Sequence, residues 1–442
     1  MSEGYKKGYK REQATANVKK RLEQESFISK HKNSIKDFTR NRTLTFTVVF
    51  MLIFRKSIKS LQLTLNELLI NNVITRTVSA SAYTQARKKF KHTAFIELND
   101  DIIGIYYSDD QIKLWKGYRC MGVDASKIVL PPTEEIQKEF GEIKIKSQYI
   151  EGTYTGAMFE CYYDVLNHIA MKSHLAPASS YEVDLASELL EEEGFSARDL
   201  LIYDRGYACY ELLAKLTKKS KNYVIRCPRN SFKPVKLLFD KIGYWSKVVT
   251  LTAPKDQKKN ILDKGLPAEI KVRFVSVILS TGEVEVLATS LMDESIQRDD
   301  FQRLYFLRWG VEGFFNLIKG RLNLENFTGK TVESVKQDFW STIMITNLES
   351  VITEDIENDM NTNLEPEQLT KKINHAVSFN AIKNMAFDIF YHEKDSARSV
   401  EKLILLFKTN TLVQRTDRSP PRKKISYRRS YNFLRRIKKQ VF

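Results

Sequence analysis

Residues 305–319 read Tyr-Phe-Leu-Arg-Trp-Gly-Val-Glu-Gly-Phe-Phe-Asn-Leu-Ile-Lys, and the fold is decided by how this stretch is read. On a helix advancing roughly 100° per residue, Tyr305, Arg308, Glu312 and Lys319 fall at about 0°, 300°, 340° and 320°. One narrow polar stripe results, holding a single carboxylate among two cations and a phenol. Phe306, Trp309, Val311, Phe314, Phe315 and Ile318 supply apolar surface around the rest of the circumference. A helix apolar on most of its faces packs against protein, so the stripe is expected to face a cleft. A core helix with one solvated edge is the plainer reading, and the decision rests on what else in the chain points here.

Two further carboxylates do. Asp124 in Tyr-Arg-Cys-Met-Gly-Val-Asp-Ala-Ser-Lys and Asp204 in Leu-Leu-Ile-Tyr-Asp-Arg-Gly-Tyr each close a short apolar run followed by a small or turn-forming residue. Asp204 lies 80 residues after Asp124, and Glu312 a further 108 residues on. The spacing Tyr-x2-Arg-x3-Glu-x6-Lys, with the Arg-Trp pair, resembles the signature of the insertion-sequence-four family of bacterial DDE transposases. In that family the Glu is the third catalytic carboxylate, and the two Asp are expected at the ends of two strands. The resemblance runs from roughly residue 40 to 345 and is firmest around Asp124, Asp204 and 287–319. It implies an α/β fold: a ribonuclease H-like catalytic core with a β-rich insertion before the last core helix, a helical N-terminal domain and a helical, basic C-terminal region.

Composition agrees with a nucleic-acid partner. Over 442 residues, 71 Lys and Arg face 54 Asp and Glu, a formal charge of +17, which favours a polyanion. The longest apolar stretch, Val48–Phe54, is far shorter than the roughly 20 residues that span a bilayer, so it reads as a buried segment. The first residues lack the apolar core of a secretory signal, so the protein is expected to remain where it is made, which the resemblance implies is the cytoplasm of a prokaryote, at the nucleoid. Cys120, Cys161, Cys209 and Cys227 form no CxxC pair and read as reduced thiols, and His168 and His174 lack ligand-like spacing.

In chain order, residues 1–43 are rich in Lys and Arg and predict a basic arm that orders on DNA. Residues 44–110 predict a helical DNA-binding domain, with Gln85, Arg87, Lys88 and Lys89 available for phosphates. From Tyr118 strands dominate: Tyr118–Asp124, Ala157–Val165, His168–Leu175, Asp199–Tyr203 and Tyr223–Cys227, with helices over Tyr181–Glu193 and 207–219. The catalytic domain is placed at 111–330, its β-rich insertion at about 228–298 with strands Trp245–Thr252, Glu269–Leu279 and Val284–Thr289. A helical region over 331–442 ends in a tail whose residues from Arg415 hold eleven Lys or Arg against one Asp, a pattern suited to polyanion contact.

Three carboxylates suit in-line attack on a phosphodiester, where two divalent ions about 4 Å apart stabilise the attacking and leaving oxygens. Oxygen ligands favour Mg²⁺, with Mn²⁺ expected to substitute. Asp124 and Asp204 are assigned to one ion and Glu312 to completing the second site. Without metal the three should repel one another and raise each other's pKa. Tyr305, Arg308 and Lys319 are assigned, by resemblance, to a phosphate of the DNA end. Trp309 and Trp245 are candidates to stack on a flipped base, core packing being the plainer reading for Trp309. Asp164, Asp184 and Asp199 are the rival carboxylates.

The resemblance further implies cut-and-paste transposition of double-stranded DNA: binding of terminal inverted repeats, release of a 3′-hydroxyl by Mg²⁺-activated water, a hairpin intermediate, and strand transfer by a homodimer on paired ends. Neither a membrane nor a small-molecule substrate is expected. A metal-dependent nuclease on the same fold, or a non-catalytic repressor derived from a transposase, are the alternatives.

Overall fold

The computed structural model describes residues 8–39, 43–57, 59–146, 151–191, 194–240, 245–279, 282–362, 369–391 and 396–414. The chain divides into two compact units, one made of Gln111–Val129 and Gln137–Leu317, the other of Met1–Asp110, Leu130–Ile136 and Ile318–Phe442.

The first unit is built on a sheet that has nine strands among the described residues. In chain order these are β1 Arg119–Val129, β2 Glu142–Lys146, β3 Glu151–Asp164, β4 Ile169–Pro177, β5 Asp199–Tyr203, β6 Asn222–Cys227, β7 Ser246–Thr252, β8 Glu269–Ile278 and β9 Val284–Thr289. β3 pairs antiparallel with β1, β2 and β4. β5 runs parallel to β1, and β6 parallel to β5. All five residues of β5 are buried, the unbroken apolar pattern of a strand covered on both faces. β9, β8 and β7 then continue the sheet antiparallel from β6. The β-rich stretch expected as an insertion is therefore a continuation of the central sheet.

β1 departs from expectation in length. It was expected to end at Asp124, yet it runs on to Val129 because residues 125–129 keep pairing with β3. What ends near Asp124 is the parallel pairing with β5, whose last pair is Val123 with Tyr203. The helix Trp309–Asn316 packs on β1 and β3. A Cβ at Gly122 would lie 2.9 Å from Val165 Cγ1 and 3.3 Å from Val311 Cβ, so glycine is what lets this helix approach the strand so closely. Phe314 stacks on Tyr163 and Phe315 meets Phe159 edge-on, at centroid separations of 4.5 and 5.1 Å.

The second unit is helical. Residues 8–39 include the helices Tyr9–Glu23 and Glu25–Lys30, with Ala14, Val18, Leu22 and Phe27 buried, and the first of these packs on Thr93–Tyr106. The expected basic arm at 1–43 is thus, over its described part, integral to the fold: its apolar residues recur at helical spacing amid the lysines and arginines. Phe46–Arg55 is buried on all sides from Val48 to Phe54, and Phe46, Phe50, Phe90 and Phe95 form an aromatic cluster around it. Among the described residues no helix is long and apolar enough to cross a membrane. The helix Val332–Asn361 packs on Thr93–Tyr106 and Phe46–Arg55, so the N-terminal and C-terminal regions, expected as separate domains, share one core. The basic tail from Arg415 lies outside the described residues.

Arg87 is the polar hub of this unit and not an exposed phosphate ligand as the sequence suggested. Its guanidinium donates to Gln337 Oε1 at 2.7 Å, Thr328 Oγ1 at 2.6 Å, the Ser334 carbonyl at 3.1 Å and Asp338 Oδ1 at 2.8 Å. All three nitrogens of its fork are bonded inside the protein, through four of the five N–H groups, and the side chain is buried. Lys88 and Gln85 remain exposed, while Lys89 pairs with Asp37 at 3.4 Å. Arg87→Met leaves Asp338 buried without its cation and is expected to destabilise the protein by about 3–5 kcal/mol. Lys88→Ala is expected to change stability by less than about 0.5 kcal/mol. Urea denaturation of both variants against wild type checks the contrast.

Candidate active site

The register of two strands builds the first half of the site. Val123 and Tyr203 are the last parallel pair of β1 and β5, so Asp124 and Asp204 each stand one residue beyond it, at the carboxyl end of the pairing. The Asp124 carboxylate accepts from the N–H of Ala125 at 2.9 Å. Asp204 follows the end of β5 and leads into the single turn Arg205–Tyr207.

The second half comes from the helical stretch 298–321. Arg298–Leu307 and Trp309–Asn316 meet at Arg308, whose backbone is right-handed helical, and the stretch ends in the π-helical turn Leu317–Arg321. Tyr305, Arg308 and Glu312 share a stripe as expected, but Tyr305 and Arg308 are buried and only Glu312 is open to solvent. Phe306 is 69% exposed and Trp309 37%, so the remainder of the helix is not uniformly apolar packing.

Arg308 gathers the carboxylates. Nη2 donates to Glu312 Oε1 at 2.7 Å, and Nη1 lies 3.7 Å from Asp124 Oδ2. Nε and Nη1 are buried without a hydrogen-bond partner. The Tyr305 hydroxyl donates to Asp204 Oδ1 at 3.2 Å, and Arg226 Nη2 reaches the same oxygen at 2.8 Å. Arg226 Nη1 in turn donates to Glu285 Oε1 at 2.6 Å. The rings of Tyr305 and Trp309 lie 5.8 and 4.9 Å from the Arg308 guanidinium carbon.

This arrangement splits the two aspartates. Burial pushes Asp124 up to about 6; the Ala125 N–H and Arg308 oppose that shift while Glu312 and Asp204 add to it. Burial also acts on Asp204, but the Arg205 N–H, Arg308, Arg226 and Tyr305 outweigh it and hold Asp204 below the usual carboxylate range. Mutual repulsion raising all three carboxylates was expected; for Asp204 the neighbouring cations reverse it. Burial pushes the Tyr305 phenol up, so it stays a donor. Burial works against charge on Arg308 too, yet Tyr305, Glu312 and Asp204 keep it protonated.

Asp124, Asp204 and Glu312 are all partly accessible, with side-chain exposures of 23%, 30% and 35% against 2% for Arg308. The donor set is three carboxylates, the hard oxygen ligands that suit Mg²⁺. As arranged around the guanidinium, no group of three or more His, Cys, Asp or Glu among the described residues is disposed to hold an ion. The donors fit a divalent ion in kind, and Arg308 and Arg226 hold the positive charge there.

The rival carboxylates have structural work. Asp199 is buried and receives Arg119 in a two-pronged pair at 2.6 and 2.8 Å. Asp164 accepts from the N–H groups of Leu166 and Asn167 in the β3–β4 turn. Asp184 lies exposed on the helix Glu182–Leu189. Lys319 sits in the π-helical turn, beyond the start of the other unit at Ile318; burial lowers its pKa against the pull of Glu325. Trp245 is flanked by the guanidiniums of Arg273 and Arg298, 5.6 and 5.7 Å from its ring. Sequence reasoning missed Arg226 and Glu285. Their signal is a lone charge in the otherwise apolar Tyr-Val-Ile-Arg-Cys run of β6, a pattern that requires a buried partner.

No curated protein matches the sequence. Among solved structures, a piggyBac transposase in a synaptic complex with hairpin DNA is similar over 89% of this chain and 85% of that one, with a TM-score of 0.46 and 9% identity. The transposase DDE domain family matches residues 115–348, more than half of the chain and all three carboxylates. The chain therefore belongs to the DDE transposases, enzymes that cleave DNA and transfer its strands.

Proposed function

We propose that this protein is a cut-and-paste transposase of the insertion-sequence-four type, with Asp124, Asp204 and Glu312 as its catalytic carboxylates. The observation that carries the assignment is the convergence of these side chains on one linked set of partners: Asp124 and Glu312 on the guanidinium of Arg308, and Asp204 on Arg226 and on Tyr305 of the same helical stretch. Support for a ribonuclease H-like core comes from the antiparallel strands β1, β3 and β4 followed by the parallel strands β5 and β6.

Asp124, Asp204 and Glu312 would hold two Mg²⁺ ions, which when bound supply charge stabilisation at the attacking and leaving oxygens of the phosphodiester. The chain's own residues do the rest. Arg308 has a buried Nη1 without a hydrogen-bond acceptor, next to the Nη2 that holds Glu312, and these two form the fork that a phosphate of the DNA end would take. Tyr305 keeps its proton and can donate to the same phosphate, with Lys319 as the further cation of the motif. Trp309, partly exposed beside Arg308, offers a face for a base, and Lys88 offers charge to the backbone of bound DNA. The substrates are then double-stranded element ends and target DNA in a bacterial cell. A hairpin forms during excision, and a homodimer holds paired ends.

Two measurements test this reading. Purified protein with Mg²⁺ on linear DNA carrying the inverted repeats that flank the gene is expected to cut at the repeats, form hairpins and join ends. Glu312→Gln is expected to lower all three by at least about 10³-fold, a loss of roughly 4 kcal/mol of transition-state stabilisation. Cutting without joining in the wild type would favour a nuclease, and retained cutting by the variant would remove Glu312 from the site. The second concerns Asp124, whose folded pKa lies above its unfolded value. Its contribution to stability is fully present below pH 4 and is lost as pH rises through about 6. In metal-free buffer Asp124→Asn is expected to gain on wild type by about 3 kcal/mol between pH 4 and 7. Urea denaturation across that range measures the gain, and a constant difference would count against the buried charge.

A further inference from the structure

We propose that Arg308 and Arg226 are place-holding cations of the metal site, and that divalent ions enter by exchange with them and not by filling an open cage. The inference rests on the assignment of Asp124, Asp204 and Glu312 as metal ligands. Three carboxylates at one site, without metal, are served by two guanidiniums: Glu312 and Asp124 by Arg308, Asp204 by Arg226. Two of these ion pairs, those of Glu312 and Asp204, occupy oxygens that a metal needs, while Arg308 Nη1 stands 3.7 Å from Asp124 without a hydrogen bond. The Glu312 Oε1 lone pair is directed at Arg308 Nη2, and Asp204 Oδ1 receives both Arg226 Nη2 and the Tyr305 hydroxyl. This accounts for three acids of the right chemistry forming no ready-made ion cage among the described residues.

Both arginines have somewhere to remain after giving up a carboxylate. Arg226 keeps its 2.6 Å bond to Glu285, so losing Asp204 does not strand it. Arg308 lies over the rings of Tyr305 and Trp309, and its Nη1 already lacks a hydrogen-bond acceptor, so phosphate oxygens at Nη1 and Nη2 can replace what the carboxylates supply. The exchange couples the two ligands: an anion that takes Arg308 frees Glu312 and Asp124 for metal. Metal affinity in the absence of DNA is therefore low by construction.

The test is Mn²⁺ binding followed by electron paramagnetic resonance on the full chain without DNA, comparing wild type, Arg308→Met, Arg226→Met and Glu312→Gln. Arg308→Met and Arg226→Met are each expected to tighten Mn²⁺ binding at least tenfold, and circular dichroism establishes that the variants are folded. A folded Arg308→Met with unchanged or weaker binding overturns the proposal. Should that variant not fold, wild-type protein labelled with ¹⁵N-arginine gives the answer. Its buried Nε–H resonances are expected to shift on Mg²⁺ addition, and unchanged resonances while Mg²⁺ binds would overturn the exchange. Glu312→Gln separates this failure from that of the active-site assignment. Mn²⁺ binding that is indifferent to Glu312→Gln places the ion elsewhere and removes the carboxylates as ligands. Dependence on Glu312 without tightening in either arginine variant removes only the place-holders.

Discussion

The parallel register of β1 on β5 is the constraint on which the site depends. Because Val123 and Tyr203 form the final pair, the residues that follow them leave two neighbouring strands at the same level, and both are aspartates. A slip of one residue in either strand would turn an aspartate to the other face of the sheet and bring a different side chain forward. Burial on both faces of β5 and the apolar residues Cys120, Met121 and Val123 of β1 fix that register. Gly122 then admits Val311, and with it the turn of helix carrying Glu312. Backbone pairing places two carboxylates, and one missing side chain sets the height of the third.

A buried guanidinium among acids is poor value as a stabilising device. Moving ions out of water costs several kcal/mol each, and apolar replacements of a buried pair are often neutral or better. Arg308 also leaves two nitrogens without acceptors, which adds to that cost. Contrast Arg87 in the helical unit, each of whose three nitrogens is bonded, to Gln337, Thr328, Ser334 and Asp338. Arg87 is arranged as a structural residue would be. Arg308 leaves Nε and Nη1 without acceptors, and that incompleteness is what distinguishes the two arginines.

Much of this was legible in the sequence, for physical reasons that can be named. The strand delivering Asp204 and the helix carrying Glu312 are strongly patterned, and the apolar run at Val48–Phe54 was too short for a bilayer and is buried. The end of β1 was misread because Ala-Ser-Lys after Asp124 resembles a turn, while pairing to β3, invisible in a single segment, carries the strand onward. Arg87 was misread because a basic residue at a helix end looks solvated unless its partners, some 250 positions away, are known. The N-terminal helices were missed because lysine and arginine dominate their composition, yet a few apolar residues at helical spacing suffice for docking. Arg226 went unnoticed because its partners Asp204 and Glu285 lie far from it along the chain and converge only when the sheet forms.

That last case changes the meaning of the β-rich segment. Had β7, β8 and β9 formed a separate appendage, their side chains would have no bearing on Asp204. Instead β9 pairs directly with β6, with Cys227 opposite Val286, which brings Glu285 within reach of Arg226. Arg226 is therefore held between an acid from the continued sheet and the second aspartate of the site. The low pKa of Asp204 depends on this cation as well as on Arg308 and its backbone contact. It follows that the segment from Ser246 to Thr289 contributes to the electrostatics around Asp204 through the salt bridge of Glu285 with Arg226. A change at Glu285 would act on Asp204 by altering where Arg226 rests.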